Sequence, residues 1–114
     1  MTRIGLIGCG NISRFHITGY ELAGAPIIHV CDVRPEAAQA VADRYGARVS
    51  TDYRALLDDP EVDLVSVTAL SSAHREICLA ALDAGKAVIC EKTLTDTADA
   101  SADVYRAAAA GTFF

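Results

Sequence analysis

Two kinds of segment alternate along the chain. Short apolar runs occupy Ile4–Ile7, Ile27–Cys31, 64–68 and Ala87–Cys90. They are too short for helices, are bounded by Gly, Pro or Asp, and read as strands buried on both faces. A weaker strand is predicted at Arg48–Ser50. Between the runs, apolar residues recur with helical spacing. In "PEAAQAVADRYG" (35–46), Pro35 suits a first turn, Gly46 suits a C-cap, and Ala38, Val41, Ala42 and Tyr45 share a face. "SAHREICLAALDAG" (72–85) aligns Ile77, Ala80, Ala81 and Ala84 and closes on Gly85. Further helices are predicted over Ser13–Ala23, over 52–59 ahead of Pro60, and over the Ala-rich 95–111, where Thr95 is the N-cap. This alternation predicts an α/β fold: a doubly wound parallel sheet of five strands, layered α/β/α, with right-handed crossovers. Thr112, Phe113 and Phe114, just past Gly111, read as the start of a sixth strand.

Composition narrows the function classes. Of 114 residues, 52% are hydrophobic and 22% charged, which supports one packed domain over 1–114. The net charge is -5, and the ten Lys and Arg are scattered rather than gathered in a stripe. That argues against a nucleic-acid partner. No apolar run is long enough to cross a bilayer. The "LIGC" at 6–9 lacks the charged and apolar regions of an export signal. The expectation is a cytoplasmic protein without a membrane partner. Cysteines 9, 31, 78 and 90 form no C-x-x-C pair. They read as reduced thiols rather than a metal site or redox dithiol.

Candidate chemistry starts at "GLIGCGNIS". Gly8 and Gly10 follow the first strand directly and open a helix, and Ser13 stands where the pattern G-x-G-x-x-G/A has its third small residue. In that pattern the first glycine makes the tight turn and the second admits a pyrophosphate to the backbone. Backbone N–H groups, those of Asn11 and Ile12 among them, and the helix N-terminus would hold the phosphates, so an acidic chain can still bind them. A lone glycine loop is a weak signal. Here the second strand ends at Asp32, 22 residues beyond Gly10, where an acid bonds the adenine ribose hydroxyls. Arg34 follows closely and is placed either over the adenine or in solvent. NAD is the expected cofactor, with NADP disfavoured by the carboxylate of Asp32.

Taken together, "IGLIGCGNISRFH", "CDVRPEAAQAVADRYG", "TDYRALLDDPEVDLVSV" and "AHREICLAALDAGKAVICEK" resemble the N-terminal Rossmann domain of the Gfo/Idh/MocA oxidoreductases. The resemblance covers nearly the whole chain. It implies hydride transfer between a nicotinamide cofactor and a sugar, inositol or related polyol. The family's Glu-Lys-Pro signature at the fifth strand reads Glu91-Lys92-Thr93 here. By resemblance, Lys92 is the catalytic or substrate-orienting residue and Glu91 lies beside the nicotinamide. His74 matches a position close to the cofactor crevice. Ala69 and Leu70 occupy the loop bordering the nicotinamide.

The chain departs from the family twice in these loops. The usual Thr-Pro-Asn reads Ala69-Leu70-Ser71, and the proline after the lysine is Thr93. Each lost proline removes a fixed φ and a restraint on the residue before it. Family members are also roughly three times longer, with a C-terminal domain that supplies the substrate pocket. The expectation is therefore a truncated cofactor-binding domain that self-associates through an uncovered sheet edge. The alternative is a stand-alone, non-catalytic NAD(H)-binding or regulatory module.

Overall fold

The computed structural model describes residues 2–10, 13–69 and 71–90. Nine elements follow in order: β1 (Ile4–Ile7), α1 (Ser13–Ala23), β2 (Ile27–Cys31), α2 (Pro35–Tyr45), β3 (Arg48–Ser50), α3 (Tyr53–Leu57), β4 (Leu64–Val67), α4 (Ser71–Asp83) and β5 (Ala87–Cys90). All neighbouring strands are parallel, in the order β3-β2-β1-β4-β5. The order reverses between β1 and β4, and a crevice opens at such a switch point, outside the carboxyl ends of the strands. Asn11, Ile12, Leu70, Glu91, Lys92, Thr93, the helix expected over 95–111 and the expected sixth strand lie outside the described residues.

Alternation along the central strand builds both cores. Ile4 and Leu6 of β1 face α1 and α2, where they meet Ile17, Val30, Ala38 and Ala42. Ile7 faces the other way, into the layer of α3 and α4, with Leu56, Val65, Val67, Ile77 and Leu82. Gly5 lies between them. A Cβ there would come within 2.7 Å of Leu56 Cδ2 and 2.9 Å of Val62 Cγ1, so the missing side chain is the space that Leu56 fills.

Helix boundaries follow their caps. Pro35 starts α2, and Gly46 ends it in the left-handed region (φ 65°), donating its N–H to the Ala42 carbonyl. Asp52 caps α3 by accepting from the Arg54 N–H at 2.9 Å. Two expectations need correction. The buried stripe of α4 is Ile77, Cys78, Ala81 and Leu82, whereas Ala84 is exposed. Leu82 buries more apolar surface than Ala84, and the helix rotates to bury it. The outer strands are also not buried on both faces: Val49 of β3 and Ile89 of β5 are 37% and 43% exposed. In addition, α3 is shorter than the expected 52–59, and β4 ends one residue before Thr68.

Candidate functional site

A cleft of about 760 Å³ opens at the carboxyl ends of the strands. Its walls come from the β1–α1 loop (Gly8, Gly10), the β2–α2 loop (Asp32, Val33, Arg34), residues 51–54, and the β4–α4 region (Thr68, Ala69, Ala73, Glu76, Ile77). Ligand pockets typically span a few hundred to about 1,000 Å³.

The glycine loop is held from two sides. Gly8 has φ 96°, and a Cβ on it would sit 2.6 Å from the backbone of Thr68 and Ala69. A side chain is therefore excluded both by conformation and by contact. The loop is tied to β2 by the Gly8 N–H donating to the Cys31 carbonyl at 2.8 Å. On the β4 side, the Thr68 hydroxyl donates to the Gly8 carbonyl at 2.5 Å, and its N–H donates to Ile7 at 2.8 Å. Gly10 is open: the nearest atom to a Cβ there would be Arg34 Nη2, at 4.0 Å. The backbone at this second glycine is accessible to a ligand. Ser13 is buried and turns its hydroxyl onto the Gly10 carbonyl at 2.6 Å. The third small residue thus closes the turn with a hydrogen bond of its own.

Asp32 is buried at the end of β2 and is saturated by local donors. It accepts from the Cys9 N–H at 2.9 Å and the Arg34 N–H at 2.9 Å. Arg34 Nε and Nη2 make longer contacts, at 3.3 and 3.5 Å. Burial alone would raise the Asp32 pKa, but the two amides and the guanidinium outweigh it and hold the carboxyl below its usual range. Asp32 thus does two things: it fixes the glycine loop through Cys9 and keeps a carboxylate facing the cleft. The Cys9 thiol is pushed up to about 12 by burial, then by Asp32 and Cys31. It is a packing group, not a nucleophile.

His74 is only 1% exposed, and its Nε2 bonds the Ala69 carbonyl at 2.8 Å. It holds the loop after β4 from behind rather than lining the cleft, while Ala69 itself lines it. His16 is half-buried and bonds Ser66 of β4 at 2.9 Å. The structure therefore brings Gly8, Gly10, Asp32, Arg34 and Ala69 to one cleft. Thr68 was not anticipated as a site residue. Its signal is a hydroxyl residue ending an apolar run, opposite the glycine loop. Cys9, Cys31, Cys78 and Cys90 form no disulfide with one another. Among the described residues, no helix is long and apolar enough to cross a membrane.

Comparison with known proteins now decides the family. The profile of the oxidoreductase family with an NAD-binding Rossmann fold, Gfo/Idh/MocA, matches residues 2–112. The chain belongs to this family. Among its relatives is inositol 2-dehydrogenase 2 of Saccharopolyspora erythraea, 43% identical over 107 residues, covering 91% of this chain and 32% of that protein. The myo-inositol dehydrogenase of Lactobacillus casei, solved with NAD(H) and myo-inositol, superposes with a TM-score of 0.91 at 31% identity, covering 98% of this chain and 34% of that one. The WlbA dehydrogenase of Bordetella pertussis, solved with NADH and UDP-GlcNAcA, gives 0.92 at 28% identity, covering 97% and 34%. This Gfo/Idh/MocA chain spans about a third of the length of the relatives it matches.

Proposed function

We propose that the chain is the NAD(H)-binding domain of an oxidoreductase acting on a polyol or sugar, and that it works in the cytoplasm. The observation that carries this reading is the Asp32 carboxylate, anchored by two backbone amides and facing a cleft beside an open glycine backbone. A carboxylate offers about four acceptor positions. The two amides occupy the best-placed ones. The longer Arg34 contacts are the ones that ribose hydroxyls can replace, releasing the guanidinium. Gly10 leaves its backbone open to a pyrophosphate, and Ala69, held from behind by His74, lines the cleft. Asn11, Ile12, Leu70 and Glu91 are proposed to complete the cofactor's surroundings from their places in the motifs. When bound, the nicotinamide supplies the hydride acceptor.

Lys92 is proposed as the residue that orients the substrate hydroxyl and shares its proton. In sequence it follows Cys90, the last residue of β5, by two positions. A 2′-phosphate on the adenine ribose would replace a donor to Asp32 with a dianion. NAD is therefore preferred over NADP. Self-association is proposed through β5, one of the two sheet edges among the described residues, where Ile89 is exposed. The test is fluorescence titration with NADH, with ADP-ribose as competitor. Saturable binding that ADP-ribose displaces is the expected result; no binding at millimolar NADH overturns the reading.

A further inference from the structure

The cleft that holds Asp32 and Arg34 is also lined by α3 and α4, whose side chains are joined by a hydrogen bond. Tyr53, the first residue of α3, donates its hydroxyl to Glu76 Oε1 of α4 at 2.6 Å. Arg54 Nη2 lies 3.7 Å from the same oxygen, and its guanidinium carbon lies 5.5 Å from the centroid of the Tyr53 ring. All three side chains line the cleft, and Tyr53 is the aromatic one among the described lining residues. Because Asp32 takes the adenine ribose in the reading above, on which this inference rests, residues 51–54 and Glu76 flank the adenine beyond it.

We infer that the Tyr53–Glu76 hydrogen bond is a positioning tether for the adenosine half of the dinucleotide. It fixes the aromatic wall before the ligand arrives. The ring of Tyr53 packs in part against the core beneath α3 and α4, and the Glu76 hydrogen bond fixes the tilt of its outer, hydroxyl end. Burial, followed by the Glu76 hydrogen bond, raises the Tyr53 pKa, so the phenol keeps the proton it donates. Without the tether, the ring must be ordered when the base binds, and affinity falls by the cost of that ordering. Glu76 acts through Tyr53 and need not touch the ligand.

The experiment is calorimetric titration of the 114-residue chain with ADP-ribose. It compares wild type, Tyr53→Phe, Glu76→Ala, the double variant and Glu76→Gln, with thermal unfolding of each. One hydrogen bond's worth of ordering corresponds to a loss of about threefold to tenfold for each of the first two variants. The double variant should be no weaker than either single one. Glu76→Gln, whose amide carbonyl can still accept the phenol proton, should stay within about twofold of wild type. Unfolding midpoints should barely move, since Tyr53→Phe keeps the packed ring and Glu76 is exposed. The tether is overturned by singles unchanged within twofold, by losses that add in the double variant, or by Glu76→Gln as weak as Glu76→Ala. It is also overturned if affinity falls only in step with stability. If wild type binds no ADP-ribose, the nucleotide reading fails and takes the tether with it.

Discussion

Two aspartates with buried side chains flank the sheet, Asp32 near its carboxyl edge and Asp59, in the turn after α3, toward its amino edge, with the same immediate chemistry. Each side chain is 8% exposed, each faces an arginine, and each accepts a backbone N–H. Each pKa is held down against the pull of burial. They differ in what closes over them. Around Asp59, His29 Nδ1 lies at 2.9 Å and Arg48 Nη2 at 2.8 Å. His29 Nε2 continues to the Ser50 hydroxyl at 3.1 Å. An ionised carboxylate can only accept, so His29 Nδ1 carries the proton toward it. Lys86 Nζ seals the carbonyls of Asp59 and Val62 at 2.9 and 2.7 Å. Asp59 thus spends its acceptors on two side chains and the Glu61 N–H, whereas Asp32 faces an open cleft and holds a guanidinium loosely. A buried acid with an arginine beside it is therefore not in itself a binding site. The empty volume in front of it makes the difference.

The comparison breaks most visibly at Asp59. Asp59→Ala leaves Arg48 and His29 without their shared acceptor and should cost about 3 kcal/mol in chemical denaturation. NADH affinity of the folded chain should stay within about twofold. Lys86→Ala should cost about 2 kcal/mol by leaving the buried Val62 carbonyl without its donor and the Asp59 carbonyl with the Val62 N–H alone, again without changing cofactor affinity. A drop in NADH affinity in either variant would erase the division between the two edges.

At the carboxyl edge the readout reverses. Asp32→Ser should narrow the preference for NADH over NADPH by about tenfold, since a charge-assisted hydrogen bond is lost and Arg34 becomes available to a phosphate. Parallel titrations of the two reduced cofactors check this. An unchanged ratio would remove Asp32 from the ribose site.

Acid should produce the smallest effect. Both aspartates are depressed in the folded state, so their stabilisation is complete above the usual aspartate value of about 3.9. It is lost as pH falls through the depressed folded values. Stability should be nearly level from neutral pH to about 5 and fall below about 4. Asp59→Asn should show a shallower fall. Denaturation midpoints measured across that range test the sign.

How much of this was legible in the sequence follows from where each signal lies. Parallel strands buried on both faces read as unbroken apolar runs, so Ile4–Ile7 and Ile27–Cys31 were bounded correctly from the chain alone. Pro35 and Gly46 bracketed α2 for the same kind of local reason. The glycine loop and Asp32 form a motif with fixed order and spacing, and the cleft assembled around them. The core face of α4 was harder to read. Alanines at Ala80, Ala81 and Ala84 blur the stripe, and its placement depends on tertiary contacts made by Cys78 and Leu82. The amino-edge network was invisible. His29, Arg48, Asp59 and Lys86 are scattered over the chain and meet only once β2, β3 and the turn before β4 are side by side. The role of His74 needed the same information, because only the structure puts the Ala69 carbonyl against its ring.

The most direct test of the central claim is a pair of binding isotherms for the unmodified chain, one with NADH and one with NADPH, under matched salt. If Asp32 receives the adenine ribose, NADH should bind at least about tenfold more tightly. Equal affinities, or tighter binding of NADPH, would contradict the account even with the fold intact.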